Sequence, residues 1–328
     1  MTSCLPFPSF LSRVRPVLLA ALFTASGLAY AEYPEKPITF VVPFAAGSAT
    51  DQLARAIGQE VTAQTKQPVV IDNKGGASGF IGAQQVAKSA PDGYTVFITT
   101  NTTHAANEHL FKSIPYDPVK DFSPVTGLAK GGQILLVAPN VQAKSVQELI
   151  AFAKANPGKV SFGSGSSSSR IAGELFQQMA GVKLLHVPYK SNPQAVSDLL
   201  GSQISMMITD VATGLPQVKG GKLRALGVSS QNRIALVPDV PTISEAGLKG
   251  YEMSFWFAAY VPAKTPPSVV QRLQTLLVNA VKGQATRNLF ESTGLEAFTT
   301  TPDDLAKFQQ AEAQKWARII KAAGIEPE

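Results

Sequence analysis

The sequence predicts an α/β fold of two lobes with a ligand cleft between them, and three observations carry that expectation. Short β-rich runs alternate with stretches of helical periodicity through most of the chain, the pattern of βα units building largely parallel sheets. The chain has 328 residues, 45% of them hydrophobic and only 16% charged, enough apolar material for about two independent cores of about 150 residues each. One local pattern, a strand running through a small-residue loop into a helix, occurs twice, once in each half.

The first element is a leader. Arg13 and Arg15 precede an apolar run from Val17 to Leu28, and Ala29-Tyr30-Ala31 places small residues at the positions a signal peptidase reads. Residues 1–31 are therefore expected to be a signal peptide, cleaved after Ala31, with the mature protein exported to the periplasm. The run is shorter than the about 20 residues that a spanning helix needs. The single cysteine, Cys4, lies in this leader, so the mature chain has no thiol nucleophile, thiolate metal site or disulfide. The net charge of +6 is spread without a basic run, which argues against nucleic acid as a partner.

Strands are expected at 38–42, 69–72, 95–99, 134–138, 160–163, 184–187, 204–208, 223–228 and 255–261. The helices between them carry readable ends. Ser145-x-x-Glu148 is a capping box, and Asn156-Pro157-Gly158 closes the helix that it opens; Asn192-Pro193 starts another, which Gly201 ends. Val269, Val270, Leu273, Leu276, Leu277 and Ala280 recur at three and four, the buried face of one helix. Thr301-Pro302-Asp303-Asp304 opens the last long helix.

The repeated pattern is the most informative. The strand at 38–42 enters Pro43-Phe44-Ala45-Ala46-Gly47-Ser48-Ala49-Thr50-Asp51 and then a helix carrying Leu53, Ile57 and Val61. The strand at 160–163 enters Ser164-Gly165-Ser166-Ser167-Ser168-Ser169-Arg170 and a helix carrying Ile171, Leu175, Phe176 and Met179. A helix N-terminus leaves its first amides without carbonyl partners and carries about half a positive charge, so a small-residue loop leading into one is a natural anion seat. Each loop alone also reads as an ordinary βα connection; two of them facing each other across a cleft would hold a small anion. Arg170 stands in the first turn of its helix, where a cation opposes the dipole, and a ligand carboxylate is one partner that would offset this. Asn101, Thr102 and His104, and separately Asp210, follow strands at their carboxyl ends, where open α/β sheets bind ligands; helix capping is the competing reading.

Catalytic patterns are missing. No G-x-S-x-G elbow or G-x-x-x-x-G-K loop occurs, and His104 and His109 miss the zinc spacings. Gly163-x-Gly165-x-x-Ser168 lacks the third glycine of a dinucleotide fingerprint. No cofactor and no metal are expected, and the protein is not expected to be an enzyme; an exported serine hydrolase is the contrary reading that the serine loop leaves open.

The chain resembles the Bug-type extracytoplasmic solute receptors, the substrate-binding components of tripartite tricarboxylate transporters. The resemblance rests on Tyr33-Pro34-Glu35-Lys36-Pro37-Ile38, Val41-Val42-Pro43-Phe44-Ala45-Ala46-Gly47, Ala90-Pro91-Asp92-Gly93-Tyr94, Tyr116-Asp117-Pro118-Val119-Lys120-Asp121-Phe122, Ala172-Gly173-Glu174-Leu175-Phe176, His186-Val187-Pro188-Tyr189-Lys190, Gly221-Lys222-Leu223-Arg224-Ala225-Leu226, Pro238-Asp239-Val240-Pro241-Thr242 and Glu245-Ala246-Gly247. It implies a type II-like periplasmic-binding-protein fold closing on a carboxylated solute. Residues 32–128 plus 236–328 would form lobe 1 and residues 129–235 lobe 2. One carboxylate would sit on the loop of Ala46, Gly47, Ser48, Ala49, Thr50 and Asp51. The other end of the ligand would meet Ser164, Gly165, Ser166, Ser167, Ser168, Ser169 and Arg170, with Lys190 on the wall and Phe44 and Trp256 as apolar sides for an aliphatic or aromatic dicarboxylate. Ser48 and Arg170 depart from the usual glycine and histidine of the family; Arg170 suggests a permanent charge for a second carboxylate. The expected partners are a small carboxylate and either permease subunits of a tripartite transporter or a sensor kinase, with the receptor a monomer.

Overall fold

A computed structural model describes residues 1–5 and 33–328; of the expected leader, 1–31, all but the first five residues lie outside the described residues, as does its cleavage site. The chain opens with β1 (Ile38–Val42), α1 (Ala49–Thr65), β2 (Val69–Asn73), a 3₁₀ turn, α2 (Phe80–Ala87) and β3 (Thr95–Thr100). A π-helical turn at Thr102–Ala106 leads into the short α3 (Asn107–Leu110), and the 16-residue β4 (Phe122–Val137) follows. The second half of the architecture comprises α4 (Val146–Ala155), β5 (Ser161–Ser164), α5 (Ser167–Ala180), β6 (Leu185–Pro188), α6 (Asn192–Leu200), β7 (Met206–Asp210), α7 (Val211–Lys219) and β8 (Arg224–Val228). The chain then returns through β9 (Ser254–Pro262) to α8 (Pro267–Val281), α9 (Gln284–Thr293), β10 (Glu296–Ala297) and α10 (Pro302–Ala322).

The strands run in the order β2-β1-β3-β9-β4-β7-β5-β6. The β2-β1-β3 and β7-β5-β6 sets are parallel; β9 pairs antiparallel with β3 and with β4, and β4 pairs antiparallel with β7. β4 thus runs through both halves. Its first part, to Gly132, pairs with β9; from Gln133 to Val137 it pairs with β7, with β8 alongside from Ile134. The changeover of partners falls between Gly132 and Gln133.

Local chemistry sets the helix ends. Ser48, Ser145, Ser166, Asp210 and Thr301 each accept a hydrogen bond from the amide three residues ahead, which fixes where α1, α4, α5, α7 and α10 begin. Pro267, Pro302 and Pro193 occupy first-turn positions, where a missing N–H costs no hydrogen bond. The expected face of α8 is the one that packs: Val270, Leu273, Leu276, Leu277 and Ala280 are buried and Val269 half-buried. With Leu53, Ile57 and Val61 of α1 they cover β1, β3 and β9.

Trp256 does not face the cleft. Side chains alternate across a strand, so Phe255 and Phe257 line the cleft while Trp256 points to the opposite face, edge-on to Phe308 of α10. Its indole N–H donates to Glu312 Oε2 at 3.1 Å, and the buried Trp316 donates to the same oxygen at 3.2 Å. Glu312→Ala leaves two buried donors without an acceptor, each costing about 1–3 kcal/mol. Chemical denaturation is expected to show a loss of about 2–4 kcal/mol, with Glu312→Gln, which keeps an acceptor oxygen, recovering most of it.

Candidate functional site

Where β1 ends, the chain turns at Gly47 with φ +81°, and Ser48 caps α1 by accepting from the Asp51 amide at 3.2 Å. The Asp51 carboxylate points back behind the loop, accepting from the Gly47 amide at 2.9 Å, Asn73 Nδ2 at 3.0 Å and Arg55 Nε at 3.0 Å. Asn73 Nδ2 also donates to the Phe44 carbonyl. Burial alone would raise the Asp51 pKa, but the bonds from Arg55, Gly47 and Asn73 with the charge of Arg55 outweigh it and hold the carboxyl below its usual value. The loop is thus fixed from behind. Its remaining first-turn donors, the Ala49 and Thr50 amides, are those that helix geometry leaves without carbonyl partners.

The second loop is built the same way. Ser166 caps α5 through the Ser169 amide at 3.2 Å, leaving the Ser167 and Ser168 amides as the unpaired first-turn donors. The Gly165 amide donates to Asn192 Oδ1 at 3.0 Å, Asn192 Nδ2 donates to Asp210 Oδ2 at 2.9 Å, and Asp210 Oδ1 caps α7 through the Thr213 amide at 2.8 Å. Asp210 is therefore both a cap and a brace.

Both helix starts open on one cleft. Its lining includes Ser48, Ala49 and Thr50 at the start of α1, Gly165, Ser166 and Ser168 at the entry to α5, Thr100, Gln133, Asn192 and Asp210, and three phenyl rings, Phe44, Phe255 and Phe257. Thr100, Gln133, Asn192, Phe255 and Phe257 were not among the expected site residues. The two phenylalanines could be found from strand parity once one flank of Trp256 is assigned inward. Asn192 was hidden because Asn before Pro reads as a helix cap, whereas Ser191 takes the cap position and frees Asn192 to bridge.

Several expected contacts lie elsewhere. Ala46 and Gly47 are exposed on the outer turn of their loop, and Asp51 is directed into the protein. The hydroxyls of Ser167 and Ser168 are bonded across to Asn107 and Asn101 of the first half, at 2.8 and 3.1 Å to the nearer atom, so these residues offer backbone rather than side chain. The Ser169 hydroxyl donates to the Ile208 carbonyl. Thr102 and His104 are buried in the π turn, His104 stacked on Tyr260 with ring centres 3.9 Å apart and its pKa lowered by burial to about 3. Carboxyl-end placement favoured them, but the π turn swings both side chains into the core.

A second cavity adjoins the first at Phe44, Gly165 and Ser166. It is lined by Ser164, Ser167, Arg170, His186, Tyr189, Lys190 and Glu328 together with Ser78, Gly79 and Phe111. Arg170 Nη2 donates to Glu328 Oε1 at 2.7 Å, so a carboxylate of the chain itself offsets the cation at this helix start. Ser164 Oγ and His186 Nε2 lie 2.7 Å apart. This resembles half of a nucleophile–base pair. Burial first and the neighbouring Arg170 charge second pull the His186 pKa down to about 4, however, making it a weak base. Among the described residues no carboxylate is hydrogen-bonded to its other nitrogen to orient it.

The geometry now meets its relatives. The family model described as "Tripartite tricarboxylate transporter family receptor" matches residues 53–325. The chain belongs to this family. BugT of Bordetella pertussis is 33% identical over 94% of this chain and 95% of its own length. Among solved structures, that of Rpa4515 of R. palustris with adipate superposes with a TM-score of 0.88 at 34% identity, over 90% of this chain and all of that one. MatC of Rhodopseudomonas palustris with bound malate gives 0.83 at 29%, over 88% of this chain and all of that one. The fold is that of the periplasmic binding proteins, a Bug-type receptor as the sequence motifs implied. No helix among the described residues is long and apolar enough to cross a membrane.

Two measurements probe this site. A Cβ on Gly165 would lie 1.9 Å from the Ser191 carbonyl carbon and 2.2 Å from the Asn192 nitrogen, both backbone atoms. Gly165→Ala must push α6 off the loop, an overpacking expected to cost about 1–3 kcal/mol and to weaken ligand binding in calorimetry. Binding is also expected to stay flat between about pH 6 and 8, since His104 and His186 remain uncharged throughout. It should fail in strong acid. The Asp51 folded pKa is depressed, so its contribution is complete above the ordinary carboxylate range of about 3.9 and disappears as pH falls through the lower folded value.

Proposed function

We propose that the protein is a periplasmic receptor that captures a small carboxylate with an apolar body and delivers it to the membrane subunits of a tripartite transporter, with no chemical step. The observation that carries this reading is that two helix N-termini, from opposite halves of the sheet, open on a single cleft walled by Phe44, Phe255 and Phe257. The carboxylate is held by the Ala49 and Thr50 amides on one side and the Ser167 and Ser168 amides on the other, each pair adding the positive end of a helix dipole. The phenyl rings cover the methylenes or ring of the ligand. A hydrogen bond to a charged group contributes about 1.5–3 kcal/mol, so several such amides account for useful affinity without a cationic side chain at the seat. The family assignment supports the transport role, and the adipate held by the R. palustris relative has the proposed chemistry, carboxylate plus apolar chain.

Thermal shift and calorimetry with adipate, hexanoate, benzoate and the neutral adipamide test the reading. Carboxylates are expected to raise Tm, by about 2.7 kcal/mol of stabilisation at 100 times Kd, and adipamide is expected to have no effect; binding of adipamide as tight as that of adipate overturns the anion seat. Ala49→Pro removes one seat amide at the first helical position, where proline is well tolerated and where Ser48 is already extended with ψ 159°. It is expected to keep the fold and weaken carboxylate binding by about 10- to 100-fold.

A further inference from the structure

We propose that Glu328 sets the ligand preference at the far end of this site, by occupying the guanidinium that a second ligand carboxylate would otherwise use. The inference rests on the carboxylate-receptor reading and concerns which carboxylates are admitted. Arg170 is the fourth residue of α5, and a helical side chain leans back toward its N-terminus over the preceding turn. Its guanidinium therefore lies along the face that begins with Ser166 and Ser167, and all three line one cavity that joins the cleft at Gly165 and Ser166.

The cation there is already paired. Arg170 has only 15% of its side chain exposed, Nη2 lies on Glu328 Oε1 at 2.7 Å, and the buried Nε has no hydrogen-bond partner. Glu328 is delivered by the other half of the molecule. Its amide donates to the Leu110 carbonyl at 3.0 Å and its carbonyl accepts from the Lys112 amide at 2.8 Å, so its backbone is clamped to the segment after α3 while its carboxylate reaches across to α5. The other ionisable groups facing Arg170 are Glu174, on the next turn of α5, and His186, which is uncharged near neutrality; Lys190 lines the same cavity. A ligand bringing a second carboxylate must displace Glu328 or sit beside it, whereas a ligand with an uncharged far end meets neither penalty. Glu328 thus biases the receptor toward monocarboxylates, and Arg170 becomes a second anion seat only when Glu328 gives way. With 59% of its side chain exposed, Glu328 has water to move into.

The test compares adipate with hexanoate, equal in chain length and differing by one carboxylate, by calorimetry on the wild type, Glu328→Gln, Arg170→Gln and the double variant. Glu328→Gln keeps the backbone clamp and removes only the charge; its Tm without ligand confirms folding. The ratio of adipate to hexanoate affinity is expected to rise about tenfold in Glu328→Gln and to return to the wild-type ratio or below in the double variant. A ratio unchanged by Glu328→Gln, or both affinities moving together as they would if the pair only tied the two halves, overturns the assignment. In either case the carboxylate reading survives if wild-type protein binds both acids. Failure of the wild type to bind any carboxylate of the panel sinks that reading and this one with it.

Discussion

The site depends on backbone N–H groups that the fold cannot satisfy for itself. Every helix begins with unpaired donors. At α1 and α5 the cap serines take only the third amide, and Ala49 and Thr50 of α1 and Ser168 of α5 line the cleft. Such donors attract an anion because a neutral ligand cannot match their charge and the low-polarity phenyl walls weaken the competition from water. The remaining polar apparatus holds these donors still.

That apparatus is notable for its carboxylates. Asp51 and Asp210 stand beside the two seats, where a negative charge would repel an anionic ligand, yet each is turned to bracing. Asp51 gathers Gly47, Asn73 and Arg55 behind the first loop. Asp210 caps α7 and, through Asn192, fixes the Gly165 amide at the second. Their charge is absorbed by amide donors and, for Asp51, by a guanidinium. A carboxylate used in this way positions a loop more rigidly than an amide would, since ionised acceptors make the shorter and stronger bonds.

The sequence shows the alternation of strands and helices, both glycine–serine loops, the caps at Ser48 and Ser145, and the buried face of α8, because each is written in local periodicity or capping chemistry. What escapes it is long-range. The first part of β4 carries Pro124, Gly127, Gly131 and Gly132, residues that weaken any strand assignment, and it is pairing with β9, and with β10 at Ala129 and Lys130, that makes it a strand. The inward side of β9 depends on register, so Trp256 reads as well as Phe255 or Phe257 until the neighbour is known. The serine hydroxyls of α5 look like ligand contacts until Asn101 and Asn107 approach from the other half. Arg170 correctly signals a need for a carboxylate, but nothing local says that one 158 positions away supplies it.

The uninterrupted β4 has a mechanical consequence. At about 3.3 Å per residue its 16 residues form a beam roughly 50 Å long, paired with β9 through Gly131 and Gly132 and with β7 from Gln133 on. Torsion in this beam, where pairing passes from β9 to β7 just after the glycine pair, is one route by which the halves can shift relative to each other. A strand shared by both halves keeps the two loop-bearing parallel sets in one register, so the helix starts of α1 and α5 are placed relative to each other by main-chain pairing rather than by side-chain contacts alone.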